Sequence, residues 1–192
     1  MKSSQQKILD YCLKNAVFDG WNTKLLENAS ISAGLDKEYH RILFPNGAVD
    51  VFTFFVEETN RKMAEEAKLD GLRTHEKIRA LVAWRLEHIK PYRNAVKSLL
   101  KLLVSSPFAT IKASYSAVDS MWRVAGDTST DFNFYSKRTL LAGVYSSTLL
   151  YFLEDKSENN EKTWKFLDDR LGEVGKFNKF MSSIKKAVKP VA

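Results

Sequence analysis

The amino-acid sequence predicts an all-α protein of about nine helices. Apolar residues recur at spacings of three and four along most of the 192 residues, whereas the alternation of apolar and polar residues that marks β-strands is nearly absent. The chain has only 8 Gly and 4 Pro and lacks a Ser/Gly-rich or Pro-rich stretch long enough for an interdomain linker. Because 44% of the residues are hydrophobic, one substantial core can form. We therefore expect one structural domain built from helices.

Residues 1–47 are expected to form an N-terminal unit of three short helices, similar to a helix-turn-helix. The first helix ends at Gly20, and the second covers about residues 23–31. Asp36 is placed to cap the third helix, which the Phe-Pro-Asn-Gly sequence at 44–47 stops.

A larger helical bundle is expected over residues 48–171. Its apolar stripes are separated by Gly71, Pro91, Pro107 and Gly126, which favour helix ends and helix starts. The six expected helices begin at about residues 48, 74, 91, 107, 131 and 160.

The last segment, residues 172–192, is expected to be a basic amphipathic tail. Its apolar residues step by three and four, and lysines occupy most of the other positions. The formal net charge of +7 favours anionic partners, either nucleic acid or an acidic membrane surface. The tail either lies on such a membrane or packs as a solvated helix on its own domain. The residues expected to contact a membrane are Phe177, Met181, Ile184, Lys185 and Lys186.

The sequence lacks the motifs of several enzyme classes. Carboxylate-bridged iron sites in helical bundles use Glu-x-x-His pairs, but no Glu stands three residues before His40, His75 or His88. Phosphate-binding glycine loops and the Gly-x-Ser-x-Gly elbow are also absent. Cys12 is the only cysteine and fits a buried inert thiol better than a nucleophile. We therefore expect a protein that is not an enzyme and that uses neither a metal nor a cofactor.

The central helices carry more large apolar side chains than one buried face requires. Ala142 and Gly143 stand opposite them and are too small to fill the space between large neighbours. A bundle of this composition forms either a closed core or an elongated apolar cavity, and the composition leaves both possible. The residues expected to line such a cavity are Trp84, Leu99, Leu103, Phe108, Ile111, Tyr115, Trp122, Leu141, Ala142 and Tyr145.

The beginning of the chain resembles the layout of TetR-type transcriptional regulators. Three short helices joined by Gly20 and Gly34 precede a long helix, as in that fold. The resemblance implies that the third helix would offer Lys37, His40 and Arg41 to the major groove of DNA. A DNA-binding regulator is therefore the alternative function. The Phe-Pro-Asn-Gly turn after this helix departs from the regulators' usual pattern, which argues against nucleic acid as a partner.

Three segments of the C-terminal half resemble the ubiquinone-biosynthesis accessory family. They are MWRVAGDTSTDFNFYSKR at 121–138, LAGVYSST at 141–148 and TWKFL at 163–167. The Ala-Gly-Leu and Phe-Pro-Asn-Gly segments at 33–35 and 44–47 extend the match over almost the whole chain. The resemblance implies a TetR-like fold, in which the three-helix unit precedes a larger bundle for ligand binding and dimerisation. It also implies a non-catalytic homodimer whose ligand is an isoprenoid quinone or a phospholipid.

The same resemblance implies a partner and a location. Members of the family support the di-iron hydroxylase that modifies demethoxyubiquinone, so the chain is expected to present a prenylated quinone to that enzyme at the membrane. The expected location is the bacterial cytoplasm, peripheral on the inner membrane, or the mitochondrial matrix side for a mature eukaryotic form. The family's partner contact, carried over by position, comprises Met121, Asp131, Phe134, Tyr135 and Arg138.

The spacing within this partner contact permits two interpretations. Asp131, Tyr135 and Arg138 follow one another at spacings of four and three, so they can share one helix face. Without the resemblance, Asp131 is an ordinary N-cap and Arg138 its solvated neighbour. Phe134 stands where the family usually has tryptophan, which keeps an apolar anchor but removes the indole N–H.

Overall fold

In this computed structural model the chain is described over residues 2–104, 106–130 and 132–187, with side chains except at residue 132 and residues 176–187. Within these ranges all regular structure is helical, as predicted, and no strand is present. Short 3-10 helices at Lys37–Tyr39, Lys90–Tyr92 and Glu158–Asn160 precede α3, α6 and α9. The α-helices are α1 (Lys2–Asp19), α2 (Thr23–Ser32), α3 (His40–Leu43), α4 (Ala48–Glu66), α5 (Thr74–Ile89), α6 (Arg93–Leu103), α7 (Pro107–Val124), α8 (Phe132–Glu154) and α9 (Glu161–Ala187).

Helices α1 to α3 form the N-terminal unit, in which α1 and α2 pack side by side. Asn22 caps α2, because its side-chain oxygen accepts a hydrogen bond of 3.0 Å from the backbone N–H of Leu25. The third expected helix begins after the Asp36 cap and ends at Leu43, as predicted, but its first turn is a 3-10 helix and only four residues form α3. It stops at Phe44 because the residue before a proline disfavours the helical conformation.

Trp21 links the N-terminal unit to the larger bundle through hydrogen bonds. Its indole N–H donates to the backbone oxygen of Ala95 at 3.0 Å and lies 3.1 Å from the hydroxyl oxygen of Ser98, both in α6. Phe44 adds an edge-to-face contact with Phe54 of α4, with ring centroids 5.9 Å apart. The unit therefore shares one continuous hydrophobic core with the larger bundle.

Helices α4 to α9 form the larger bundle, in which α7 packs against both α4 and α8. The buried face of α7 consists mainly of small or slender residues, namely Ala113, Ala117, Val118 and Met121. Side chains of this size let the neighbouring helices approach closely without leaving voids. The large residue Phe108 of the same helix is 80% exposed.

Asp155 organises the turn between α8 and α9. One carboxylate oxygen accepts a 2.8 Å hydrogen bond from the N–H of Ser157, and the other accepts one of 2.9 Å from the N–H of Thr163. Burial raises the pKa of Asp155, but the hydrogen bonds from Ser157 and Thr163 outweigh it and hold that pKa well below its ordinary value. Asp155 is therefore a charged cap at the start of α9.

Helix α9 continues through Gly172 and Gly175 to Ala187. The boundary expected at residue 172 thus lies inside a helix, because a glycine lowers helix stability by only about 1 kcal/mol relative to alanine and the flanking residues favour a helix. Among the described residues, none of the helices combines the length and the apolar character needed to cross a bilayer.

Candidate functional site

Helices α5, α7, α8 and α9 enclose an apolar groove of about 330 Å³, called here the α5–α9 groove. Its walls are mainly aliphatic, with one indole and the polar residues Thr74, His75 and Lys137. An apolar cavity with a few polar groups is typical of sites that bind small molecules. The apolar side chains that line it are those of Ile78, Trp122, Leu140, Leu141, Val144, Leu171 and Val174.

Trp122 forms the aromatic part of this wall and is held in place from α8. Its indole N–H donates a hydrogen bond of 3.2 Å to the backbone oxygen of Lys137. The ammonium group of Lys137 lies 5.4 Å from the centre of the indole ring, within the range of a cation–π interaction. Because its only donor is already bonded inside the protein, Trp122 offers the groove an apolar surface.

A group of four charged residues, called here the corner cluster, lies where the chain turns from α7 into α8. It comprises Asp119, Asp127, Lys137 and Arg138. Lys137 pairs with Asp127 at 2.7 Å, and Arg138 pairs with Asp119 at 2.7 Å and with Asp127 at 3.1 Å. The guanidinium group of Arg138 also lies 3.5 Å from the centre of the Phe134 ring. The cluster joins the start of α8 to α7 and to the loop between them.

The two acidic residues of the corner cluster are ionised at neutral pH. Burial raises the pKa of Asp127, but hydrogen bonds from Lys137, a serine hydroxyl and Arg138 outweigh it and hold that pKa far below its ordinary value. The pKa of Asp119 is lowered in the same way, against burial, by hydrogen bonds from two arginines. Two carboxylates thus balance the two cations in the cluster.

Comparison with known proteins finds relatives among ubiquinone biosynthesis proteins. Residues 109–178 match the family model COQ9. The chain is 32% identical over 194 aligned residues to the probable ubiquinone biosynthesis protein coq9, mitochondrial, of Dictyostelium discoideum, with 95% of this chain and 63% of that protein covered. This chain is a COQ9 homologue. It is also 33% identical over 183 residues to the rat ubiquinone biosynthesis protein COQ9, mitochondrial (Rattus norvegicus), with 88% and 58% covered. The chain thus spans about three-fifths of the length of these relatives.

The fold of this COQ9 homologue is similar to that of a TetR transcriptional regulator from Nitrosomonas europaea, whose crystal structure has been determined. The TM-score is 0.67, and the match covers 88% of this chain and 96% of the regulator at 18% sequence identity. At that identity the likeness establishes the fold alone, and it confirms the TetR-like architecture predicted from the sequence.

Two of the ten residues expected to line a cavity, Trp122 and Leu141, do line the α5–α9 groove of this COQ9 homologue. The expectation that all ten share one elongated cavity is corrected, because the other eight lie in three different environments. Leu99, Leu103 and Tyr145 are buried in the core, Phe108, Ile111 and Tyr115 are exposed on α7, and Trp84 and Ala142 are half-buried outside the groove.

Two polar aromatic residues of that set, Trp84 and Tyr145, have partners elsewhere in the fold. Trp84 stacks on His88 one helical turn away, with ring centroids 4.9 Å apart. The hydroxyl oxygen of Tyr145 accepts a 3.3 Å hydrogen bond from the buried Arg85, which also donates to the amide oxygen of Asn60. Tyr145 therefore belongs to a polar layer that links α4, α5 and α8.

The predicted partner contact is only partly on the surface. Tyr135 is 63% exposed and packs edge-to-face on the half-buried Phe134, with ring centroids 5.1 Å apart. Met121 is fully buried, and Arg138 is 2% exposed because it is enclosed by the corner cluster. The expectation that Arg138 presents its guanidinium group beside Tyr135 is therefore corrected. Asp131 lies outside the described residues.

The predicted membrane-contact residues all lie in the last turns of α9, where the structure describes only the backbone. That backbone is helical as far as Ala187. The side chains in question, which lie outside the described part of the chain, are those of Phe177, Met181, Ile184, Lys185 and Lys186.

Three residues were predicted to enter the major groove if the chain were a DNA-binding regulator. All three have partners within the N-terminal unit. Lys37 pairs with Glu27 at 3.3 Å, and Arg41 pairs with Glu38 at 2.7 Å. His40 is 3% exposed, and its Nδ1 lies 2.9 Å from the backbone oxygen of Lys37. These pairs reduce the free positive charge that a phosphate backbone requires.

Sequence reasoning missed five of the seven apolar residues of the groove. A signal was available, since Leu140 and Val144 are four residues apart, and Leu171 and Val174 are three apart. Ile78 lies on α5, the helix for which the sequence analysis predicted Trp84 as the cavity-lining residue. Which helix faces oppose one another is a property of the packed bundle, so these residues could not be joined into one site from spacing alone.

Cys12 and the acidic residues offer no obvious reactive group. Burial raises the pKa of the Cys12 thiol to about 12, so it is protonated at neutral pH. Among the residues that the structure describes, no three side chains of His, Cys, Asp or Glu lie close enough together to hold a metal ion. The α5–α9 groove is therefore the candidate functional site.

Proposed function

We propose that this chain is a non-catalytic accessory protein of ubiquinone biosynthesis. In this proposal its α5–α9 groove binds the prenyl part of a quinone intermediate and presents the molecule to demethoxyubiquinone hydroxylase at the membrane. The observation that carries the proposal is the apolar groove, which Trp122 and Leu141 line within the segment that matches the COQ9 model. The relatives of this chain are ubiquinone biosynthesis proteins, which supports a role in that pathway.

The size of the groove favours presentation of a ligand over storage. Its volume of about 330 Å³ is near the lower end of small-molecule sites, so it accommodates a segment of a polyprenyl tail. Moving such a tail from a bilayer into the groove gains little hydrophobic free energy, because both surroundings are apolar. A molecule bound in this way is readily released, as transfer to an enzyme requires.

Filling the groove should remove the bound lipid. In a Leu140→Trp variant the added ring would occupy the space beside Trp122, and we expect the amount of co-purifying lipid to fall roughly tenfold, which corresponds to about 1.4 kcal/mol of lost binding free energy. Native mass spectrometry of the purified protein measures the lipid, and its mass shows whether it is an isoprenoid quinone or a phospholipid.

The matched control is Leu150→Trp, because Leu150 lies on the same helix, is 60% exposed and does not line the groove. Ala142→Phe is a second control, because Ala142 also lies on α8 and does not line the groove, although it is half-buried. Equal lipid content in the Leu140 and Leu150 variants, or wild-type protein free of lipid after mild purification, would contradict binding in the groove.

Contact with the hydroxylase is proposed to involve the exposed ring of Tyr135 and its neighbour Phe134. A Tyr135→Ala variant should lose most of its ability to capture the hydroxylase. Tyrosine is enriched among the interface residues whose truncation costs about 2 kcal/mol or more of binding free energy. Pulldown with purified hydroxylase is the measurement, and circular dichroism verifies the helical content. Tyr115→Ala, which removes an exposed tyrosine from α7, is the control, and capture that survives Tyr135→Ala excludes this contact.

A homodimer, a peripheral membrane location and the basic end of α9 as a membrane contact complete the proposal. The exposed Leu150 and the stacked pair of Tyr151 and Phe166, with centroids 4.7 Å apart, give α8 and α9 an apolar outer surface suited to self-association. Sedimentation as a monomer at micromolar concentration would oppose the dimer. Failure to float with anionic vesicles would oppose the membrane contact.

A further inference from the structure

A second cavity, distinct from the α5–α9 groove, lies between the N-terminal unit and the bundle. It has a volume of about 650 Å³ and is lined by the second half of α1, the start of α6 and the turn before α9. The cations Lys14, Lys90 and Arg93 line it, and none of its lining residues is acidic. Lys90 has one acidic neighbour outside the cavity, the exposed Glu87 at 3.2 Å. We call this cavity the α1–α6 cleft.

The innermost cation, Arg93, is fixed rather than free to move. Its guanidinium group lies 4.0 Å from the centre of the Phe152 ring and donates to the backbone oxygen of Asp155 at 2.7 Å. A further N–H donates to the side-chain oxygen of Asn160. The positive charge is therefore held at one place in the wall of the cleft without any contact to a carboxylate side chain among the described residues.

Two nitrogen donors of residues in this wall have no acceptor among the residues that the structure describes. They are Nε of Arg93 and Nδ2 of Asn160, both buried, and Asn160 as a whole is only 4% exposed. Buried donors are rarely left unpaired, because an unpaired donor loses its hydrogen bonds to water without gaining others. Since both belong to residues that line the cleft, the missing acceptor is best supplied by a molecule bound there.

The backbone around the cleft favours the same kind of ligand. Asn159 and Asn160 both have left-handed conformations, with φ of 48° and 57°, and such residues concentrate at binding sites.

We propose that the α1–α6 cleft binds a phosphate group, either free in solution or as the headgroup of an anionic phospholipid. Phosphate offers several acceptor oxygens and a negative charge, which suits a cleft with clustered cations, unpaired donors and no acidic lining residue. The cleft and the α5–α9 groove share no lining residue, so either proposal can fail without the other.

The test is titration calorimetry with two probes, inorganic phosphate and the soluble short-chain lipid dihexanoyl phosphatidic acid. A Lys14→Gln/Lys90→Gln double variant should bind both probes roughly tenfold or more weakly, because two ammonium groups that can donate charge-assisted hydrogen bonds to the phosphate oxygens are lost. Both lysines are exposed, so the fold should survive, and circular dichroism verifies this. The matched control is Lys101→Gln/Lys112→Gln, which removes the same charge from exposed positions outside the cleft.

The outcomes separate the two sources of phosphate. If the two probes bind with similar affinity and only the cleft variant loses this binding, the cleft is a site for free phosphate. If the lipid binds much more tightly and the same variant loses this binding, the cleft is a headgroup site. Equal weakening in the two double variants would mean general attraction to a basic protein and would overturn the proposal. Absence of saturable binding of either probe to the wild-type chain would overturn it as well.

Discussion

Replacing Arg138 with methionine should lower the free energy of unfolding by about 3–5 kcal/mol, the usual effect of removing one partner from a buried ion pair. Methionine keeps most of the apolar stem but leaves Asp119 and Asp127 with one cation fewer in a site where Arg138 is 2% exposed. Urea unfolding followed by circular dichroism at neutral pH measures the change.

Arg123 supplies the control for this variant, because it also pairs with Asp119 at 2.7 Å but its side chain is 71% exposed. Arg123→Met should therefore cost only about 0–1 kcal/mol. If the two variants unfold at the same urea concentration, burial of Arg138 in the corner cluster adds nothing to the free energy of unfolding beyond what the exposed Arg123 adds.

The position of Arg138 also affects how partner binding is tested. A variant such as Arg138→Glu would place a third negative charge beside the carboxylates of Asp119 and Asp127, and loss of hydroxylase capture would then report a damaged fold. Tyr135, which is 63% exposed, can be changed without disturbing the cluster. Of the predicted contact residues, Tyr135 is therefore the informative one.

The fold class and most helix boundaries follow from local sequence signals. Gly20 ends α1, Pro107 begins α7 and Gly126 follows its last turn, as turn chemistry and proline geometry require. The N-terminal unit departs from expectation in its third helix, whose first turn is a 3-10 helix, although the Phe44-Pro45 pair ends that helix at the predicted place. These features are local, so a few neighbouring residues determine them.

The direction in which α7 faces could not be predicted in the same way. Phe108, Ile111 and Tyr115 share one face at spacings of three and four, and an apolar stripe of large residues predicts burial. The opposite stripe, which contains Ala113 and Ala117, is the buried one. A stripe of small residues is weakly hydrophobic but permits close packing, and only the complete bundle determines which stripe is covered.

Arg138 shows the same limit for charged residues. A guanidinium group at a spacing of three from Tyr135 is expected to be solvated, since arginine is rarely buried unless it is paired. Its carboxylate partners lie 11 and 19 residues earlier in the chain, on a loop and on α7. Helical spacing cannot reveal pairs over such separations, so the corner cluster emerged only from the structure.

The stability of this chain should fall steeply as the pH drops below 4, and Asp127 and Asp155 are the main reason. The pKa of each is held well below its ordinary value in the folded protein, whereas in the unfolded chain each titrates near 3.9. A carboxylate with a lowered pKa contributes stability that is complete above its unfolded pKa and is lost as the pH falls toward its folded pKa. Each should contribute on the order of 2 kcal/mol at neutral pH.

An Asp155→Asn variant tests this directly. Asparagine keeps one acceptor for Ser157 or Thr163 but cannot carry the charge, so the variant should be less stable at pH 6 and should approach the wild type near pH 2. Asp168→Asn is the control, because its side chain is 49% exposed and pairs with an exposed arginine. Urea unfolding at intervals from pH 2 to pH 6 gives both curves. Only an ionisable cap makes the difference in unfolding free energy between the wild type and Asp155→Asn depend on pH. If that difference stays constant from pH 2 to pH 6, the charge of Asp155 does not stabilise the start of α9.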